Sequence, residues 1–210
     1  MPETDTTTIP DPTTLDLWFD PMCPWAWMTS RWALEVERVR PVTVGFHVMS
    51  LSVLNEGREL SPRYRATMDA GWGGPRVCLA VADQHGQQGL RDFYTAVGTR
   101  IHPGGEPNDV TTYRAALSDA GLPVELADTA LTDANDDAVR ASHHEGMDPV
   151  GHDVGTPVVK VRGRSLFGPV ISPAPTGEAA GELWDGLVKV ITFPGFFELK
   201  RTRTVGPIFD

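Results

Sequence analysis

The chain has 210 residues, a net charge of −10, and 40% hydrophobic against 22% charged residues, the composition of an ordinary globular protein with length for one well-cored domain plus an insertion. The acidic balance excludes general nucleic-acid or anionic-membrane binding, which needs clustered positive charge, and no apolar run approaches transmembrane length. Cys23 and Cys78 are too few for a disulfide framework and lack the spacing of a zinc site, so both are expected to be free thiols in a reducing cytoplasm.

Residues 1–14 are polar and rich in Thr, Asp and Pro, without the basic start and apolar core of a secretion signal. They read as a disordered leader, and a cytoplasmic location is expected. Leu15, Leu17 and Phe19 alternate with Asp16 and Trp18, which predicts a short half-buried strand ending at Asp20-Pro21. From Pro24 to about Arg40 the residues Met28, Trp32, Val36 and Val39 recur at helical spacing, and Pro41 closes the helix. Val42, Val44, Phe46 and Val48 then alternate over a second strand that stops near Ser50. Strand, crossover helix and strand make a parallel βαβ unit.

From about Ser61 to Met147 there are helical patterns around Arg76–His85, Leu90–His102 and Val110–Asp119, but no convincing strand. Strands return at Thr156–Val161 and Leu166–Val170, joined by the hairpin-type turn Arg162-Gly163-Arg164. A last helical stripe of Ala180, Leu183, Trp184, Leu187, Val188 and Ile191 begins after Thr176-Gly177-Glu178. The order β-α-β, helical insertion, β-β-α is that of an α/β protein with the thioredoxin fold and an all-helical domain inserted after its second strand. The expected division is a core of residues 15–60 and 153–210 around an insertion of residues 61–152.

Two landmarks fall where that fold places its chemistry. Cys23 stands at the start of the first helix, where unpaired N–H groups and the helix dipole favour a thiolate. Pro24 suits the first helical position, where its missing N–H would lack a partner anyway. The thiol is therefore expected to be lowered from roughly 8.5 into a range of about 3.5 to 7.5. At the entry of the third strand stands Gly155-Thr156-Pro157; in this fold that proline is cis and the residue before it faces the cysteine, so Thr156 and Pro157 join Cys23 and Pro24 as candidate catalytic residues. Ala26 occupies the position where a dithiol oxidoreductase carries its second cysteine, so any chemistry runs on one sulfur. Cys78, in the apolar run Val77-Cys78-Leu79-Ala80-Val81, reads as a small buried hydrophobe.

His143, His144 and His152 do not have metal-ligand spacing, and are expected to be solvated or at a helix C-terminus; no metal site is expected. His47 lies opposite the Val44, Phe46, Val48 face of its strand. The basic run Lys200-Arg201-Thr202-Arg203 reads as a solvated tail, with holding an anionic or sugar-bearing thiol, or a second subunit, as the alternatives.

The stretches Phe19-Asp20-Pro21-Met22-Cys23-Pro24-Trp25, Phe46-His47-Val48-Met49-Ser50-Leu51, Leu54-Asn55-Glu56, Asp153-Val154-Gly155-Thr156-Pro157 and Phe196 to Thr204 together resemble the DsbA-family proteins of the mycothiol-dependent nitroreductase type. The resemblance implies a thiol-disulfide oxidoreductase with mycothiol as dissociable co-substrate, Cys23 as nucleophile, Trp25 walling the site, and Asn55 and Tyr64 lining a pocket between core and insertion. Disulfides and nitroaromatic compounds are the implied substrates. No tightly bound cofactor is expected, since no phosphate-cradling glycine-rich loop follows a strand. A homodimer is left open. The rival readings are a glutathione-transferase-kappa or 2-hydroxychromene-2-carboxylate isomerase relative, which binds its thiol without covalent enzyme chemistry, and a thioredoxin-like binding module without redox activity.

Overall fold

The computed structural model describes residues 13–209. Most of the expected leader (1–14) lies outside the described residues, but Thr13 and Thr14 already belong to the first strand, β1 (Thr13–Phe19). Then come α1 (Pro24–Val39), β2 (Val42–Val48), the single turn α2 (Leu51–Leu54), α3 (Pro62–Ala70), α4 (Gly73–Ile101), α5 (Val110–Asp119), a 3-10 segment (Val124–Leu131), α6 (Asp136–Met147), β3 (Val158–Val161), β4 (Arg164–Phe167) and α7 (Gly177–Ile191). The four strands form one sheet in the order β2-β1-β3-β4. β1 pairs parallel with β2 and antiparallel with β3, and Leu17 sits between Phe46 and Val159. This is the expected α/β thioredoxin fold with a helical region between its second and third strands.

Alternation decides which side of the sheet each residue meets. Leu15, Leu17 and Phe19 of β1 join Val44, Phe46 and Val48 of β2 in one buried cluster with Met28, Trp32 and Val36 of α1. On the other face Trp18 and Val158 pack with Met147 at the end of α6. The main core continues without a break into the insertion through Val77, Phe93, Tyr94 and Tyr113, so sheet and insertion share one interior. Trp32 donates from its indole nitrogen to the Ala180 carbonyl at 3.0 Å, which fixes α7 against α1.

β2 is an edge strand, and side chains cover its open ladder. Gln87 of α4 accepts the Phe46 N–H at 2.8 Å and donates to the Phe46 carbonyl at 3.0 Å, while Glu37 accepts the Val44 N–H at 2.7 Å. Two of the helices expected in the insertion are halves of α4, interrupted at Gly86, whose φ of 65° belongs to the left-handed region that glycine adopts freely. The hairpin turn carries positive φ at both Arg162 and Gly163, as a two-residue turn between twisted strands requires. β4 ends at Phe167 rather than Val170, because Gly168-Pro169 follows and proline has no N–H to extend a ladder. Helices α3 and α6 have few apolar residues to mark them in the sequence, and the 3-10 segment, apolar at Val124, Leu126, Ala127, Ala130 and Leu131, is too short to show a period.

Candidate active site

β1 delivers its last residues into a tight loop that ends in α1. Asp20 is fully buried there, and its carboxyl accepts the Met22 N–H at 2.9 Å and the Leu51 N–H at 2.7 Å. The first bond is an Asx turn that aims the chain into the helix; the second ties the loop to the start of α2. Burial pushes the Asp20 carboxyl up to about 7, with the Leu51 and Met22 N–H groups pulling the other way. His102, the residue capping the C-terminal end of α4, holds the same loop from the insertion: its Nε2 donates to the Pro21 carbonyl at 3.0 Å.

Cys23 is the N-cap residue of α1 and Pro24 its first helical residue. The sulfur donates to the Thr156 carbonyl across 3.5 Å, and Thr156 in turn donates from Oγ1 to the Trp18 carbonyl at 2.8 Å. Thr156–Pro157 is a cis peptide bond. Cys23, Pro24, Thr156 and Pro157, expected together from sequence, are together in space.

The electrostatics depart from expectation. Cys23 is only 6% exposed, and burial pushes its thiol up to about 11. The Ala26 N–H lowers it, the Asp20 charge raises it, and the Trp25 N–H and the Arg203 guanidinium lower it by lesser amounts. The helix terminus acts in the expected direction, but desolvation of the sulfur outweighs it. The resting thiol is protonated, not a thiolate below neutrality. Cys78 is also fully buried, and burial pushes its thiol well above the ordinary range.

Trp25 is half-buried beside Cys23, with the Arg203 guanidinium 5.0 Å from its ring centre. Asn55 is buried, but its amide nitrogen is committed to the Leu51 carbonyl at 2.8 Å, so it closes α2 rather than offering that group to a ligand. Tyr64 is 43% exposed on α3, and no described contact brings it to the sulfur. An open cleft of about 480 Å³ lies nearby, lined by Met22, Arg63, Thr67, Gly71 and Asn108.

Of the histidines, His144 and His152 are exposed, but His143 is 1% exposed and not solvated as expected: its Nδ1 accepts the Ser50 N–H at 3.4 Å beneath β2. His47 stacks on Trp18 at 4.3 Å and pairs with Asp16 at 2.8 Å. Among the described residues no group of three or more His, Cys, Asp or Glu side chains is placed to hold a metal ion. No described helix is long and apolar enough to cross a membrane. Sequence reasoning missed the clamp made by Asp20, which an Asp before Pro at a strand end signals locally, and His102, which carries no local signal; Arg203 was met only within the basic run read as a solvated tail, with holding an anionic thiol as an alternative.

The fold is shared with solved structures of low sequence identity. The chain superposes on a 2-hydroxychromene-2-carboxylate isomerase with a TM-score of 0.60 at 10% identity, covering 84% of this chain and 95% of that one. It superposes on the cytosolic disulfide reductase DsbM from Pseudomonas aeruginosa, solved with GSH, with a TM-score of 0.54 at 14% identity, covering 84% and 99%. In sequence it is 32% identical over 194 residues to the uncharacterized protein Rv2286c of Mycobacterium tuberculosis, covering 91% of this chain and 83% of that protein. Residues 22–201 match the family model described as Rv2466c-like, Mycothiol-dependent nitroreductase Rv2466c. With that match running from the Cys23 loop through the whole insertion to the residues beyond α7, the chain belongs to the Rv2466c-like mycothiol-dependent nitroreductase family, within the DsbA-like thioredoxin fold.

Proposed function

We propose that the protein is a cytosolic thiol-dependent oxidoreductase that takes electrons from mycothiol and acts on disulfides and nitroaromatic compounds through Cys23 alone. The observation that carries this reading is the placement of the Cys23 sulfur, at the N-terminus of α1 and opposite the Thr156 carbonyl before Pro157. An extended sulfur-bearing ligand laid along Thr156 would present its sulfur to Cys23. Trp25 walls the site, Tyr64 is the pocket residue free to meet a ligand from solvent, and Asn55 acts by holding the end of α2.

With Ala26 in place of a second thiol, Cys23 cannot close a disulfide within the motif. The Cys23 thiolate attacks one sulfur of a disulfide, forms a mixed disulfide and expels the other half as a thiolate. A mycothiol thiolate then attacks the sulfur that is not Cys23's, so that Cys23 leaves as the thiolate and the reductant is oxidised. Since the resting thiol is protonated, the attack draws on its small thiolate fraction, the proton passing to solvent. The test is mycothiol-coupled reduction of a disulfide and of a nitroaromatic compound by wild type and Cys23→Ser, with mass spectrometry for the mixed-disulfide adduct of Cys23 with the disulfide substrate. Loss of turnover in the variant, with the adduct in wild type, supports the reading.

One set of observations favours a second reading. The raised thiol and the absent second cysteine suit a transferase-like or isomerase-like enzyme that binds a low-molecular-weight thiol non-covalently. Turnover that survives Cys23→Ser would select that reading and end the first.

A further inference from the structure

Beyond α7 the described residues form no further helix or strand, yet they are laced back across the N-terminal end of α1. Ser172 holds them with two bonds, its hydroxyl donating to the Gly206 carbonyl at 2.9 Å and accepting the Ile208 N–H at 2.9 Å. Phe209 lies 5.8 Å from the His102 ring, whose Nε2 holds Pro21 just before the active-site cysteine. Between α7 and these anchors Arg203 is set over Trp25, the second residue of the helix that Cys23 caps.

Arg203 differs from the arginines that stabilise the fold. Arg40, Arg76, Arg91, Arg100 and Arg140 each pair with a carboxylate. Among the described residues Arg203 has no carboxylate within salt-bridge reach, although the chain carries 28 acidic residues against 18 Lys and Arg. An unspent positive charge, held by stacking on an aromatic ring beside a thiol, suits an anion that forms only during reaction. We propose that Arg203, carried over Trp25 by the C-terminal strap, is a positioning residue that supplies the counter-charge for the Cys23 thiolate. Its charge already lowers the Cys23 thiol against the effect of burial. The strap is thereby part of the active site, and its basic residue is not a solvated tail.

The inference rests on the reading of Cys23 as the reactive thiol, and one experiment separates the two. Cys23 alkylation by iodoacetamide is followed against pH by peptide mass spectrometry in the full-length wild type, Arg203→Gln and Arg203→Lys, at low salt and near 1 M salt. Because Arg203 is exposed, its effect must be screened where the Debye length falls to about 3 Å. The expected result is a fall of about three- to tenfold in the Arg203→Gln rate near neutral pH with the pH profile moved upward, most of the rate kept by Arg203→Lys, and high salt slowing wild type toward Arg203→Gln. Equal, salt-independent slowing in both variants would mean that Arg203 only packs, and would overturn the inference. Identical profiles for wild type and Arg203→Gln would overturn it while leaving Cys23 as the nucleophile. If wild-type Cys23 resists alkylation up to pH 10 yet reacts once denatured, the nucleophile reading itself fails and the inference falls with it.

Discussion

Asp20 Oδ2 accepts the Leu51 N–H at 2.7 Å, so one buried carboxyl clamps the loop before Cys23 to the first residue of α2. The other oxygen takes the Met22 N–H, and Asn at this position could satisfy only one of the two donors. Asp20→Asn is expected to cost about 1–3 kcal/mol near pH 5 for the buried donor it leaves unpaired. The deficit should shrink as pH rises. The folded-state value is raised from 3.8 to about 7, so the protonated carboxyl contributes stability that is fully present below 3.8 and lost as pH rises through about 7, a loss Asn does not share. Urea midpoints of both proteins at pH 5 and pH 8.5 check this; a deficit that grows with pH would mean that the Leu51 and Met22 N–H groups hold the carboxyl ionised and outweigh its burial.

Two histidines should give the opposite slope. Burial lowers His102 and His143 from 6.5 to about 4, so both fold neutral while the unfolded chain takes up their protons. Their contribution is present above 6.5 and lost as pH falls toward 4, at up to about 1.4 kcal/mol per pH unit for each. Asp20 works against one of them in the same window. His102→Phe removes one acid-sensitive group together with the tether to Pro21, so it should be less stable than wild type at pH 7.5 but lose less stability between pH 6.5 and pH 4.5. Parallel pH profiles for the two proteins would show that His102 titrates normally.

The parts of this site legible in the sequence are those that local pattern determines. Period-two and helical runs placed β1, α1, β2 and α7, and Cys23-Pro24 and Thr156-Pro157 stood out because they fall together where this element order puts its chemistry, although either proline alone is an ordinary helix start or strand entry. What stayed hidden depends on distant partners. Leu51 is 31 positions from Asp20, and Pro21 is 81 positions from His102. The thiol's raised value follows the same rule: a helix terminus can be read from neighbouring residues, whereas the depth of burial that outweighs it is set by the whole assembled core.

Ala26→Cys should convert the single-sulfur site into a dithiol site. Cys23 is the N-cap and Ala26 the third helical residue, positions whose side chains and N–H groups meet across the first turn. Ala26 is fully buried beside the sulfur, and its N–H already acts on the Cys23 thiol. Wild type treated with mycothiol disulfide is expected to retain a Cys23–mycothiol adduct. In Ala26→Cys the new thiol should attack Cys23, release mycothiol and leave an intramolecular disulfide, seen by mass spectrometry as loss of the adduct and of two free thiols. An adduct that persists equally in both proteins would mean the two positions do not meet.

The approach of α4 to the active-site helix sets a last pair of outcomes. A Cβ on Gly98 would stand 2.3 Å from the Trp27 ring of α1, whereas one on Gly186, exposed on α7, would meet nothing within 4 Å. Both glycines are helical, so Ala brings the same gain of about 0.8–1 kcal/mol in helix propensity at each. At Gly186 nothing opposes it, and Gly186→Ala should raise Tm by about 2–4 °C. At Gly98 the indole must move; it is buried, stacked under the Arg31 guanidinium at 3.9 Å and set against Tyr94. Overpacking of this kind costs about 1–3 kcal/mol, or more where backbone must shift, so Gly98→Ala should lower Tm despite the better helix former. Thermal melts of both variants decide the point. A Tm raised equally in both would mean that Trp27 gives way freely, and that α1, with Cys23 at its start, is held less firmly by the insertion than its packing indicates.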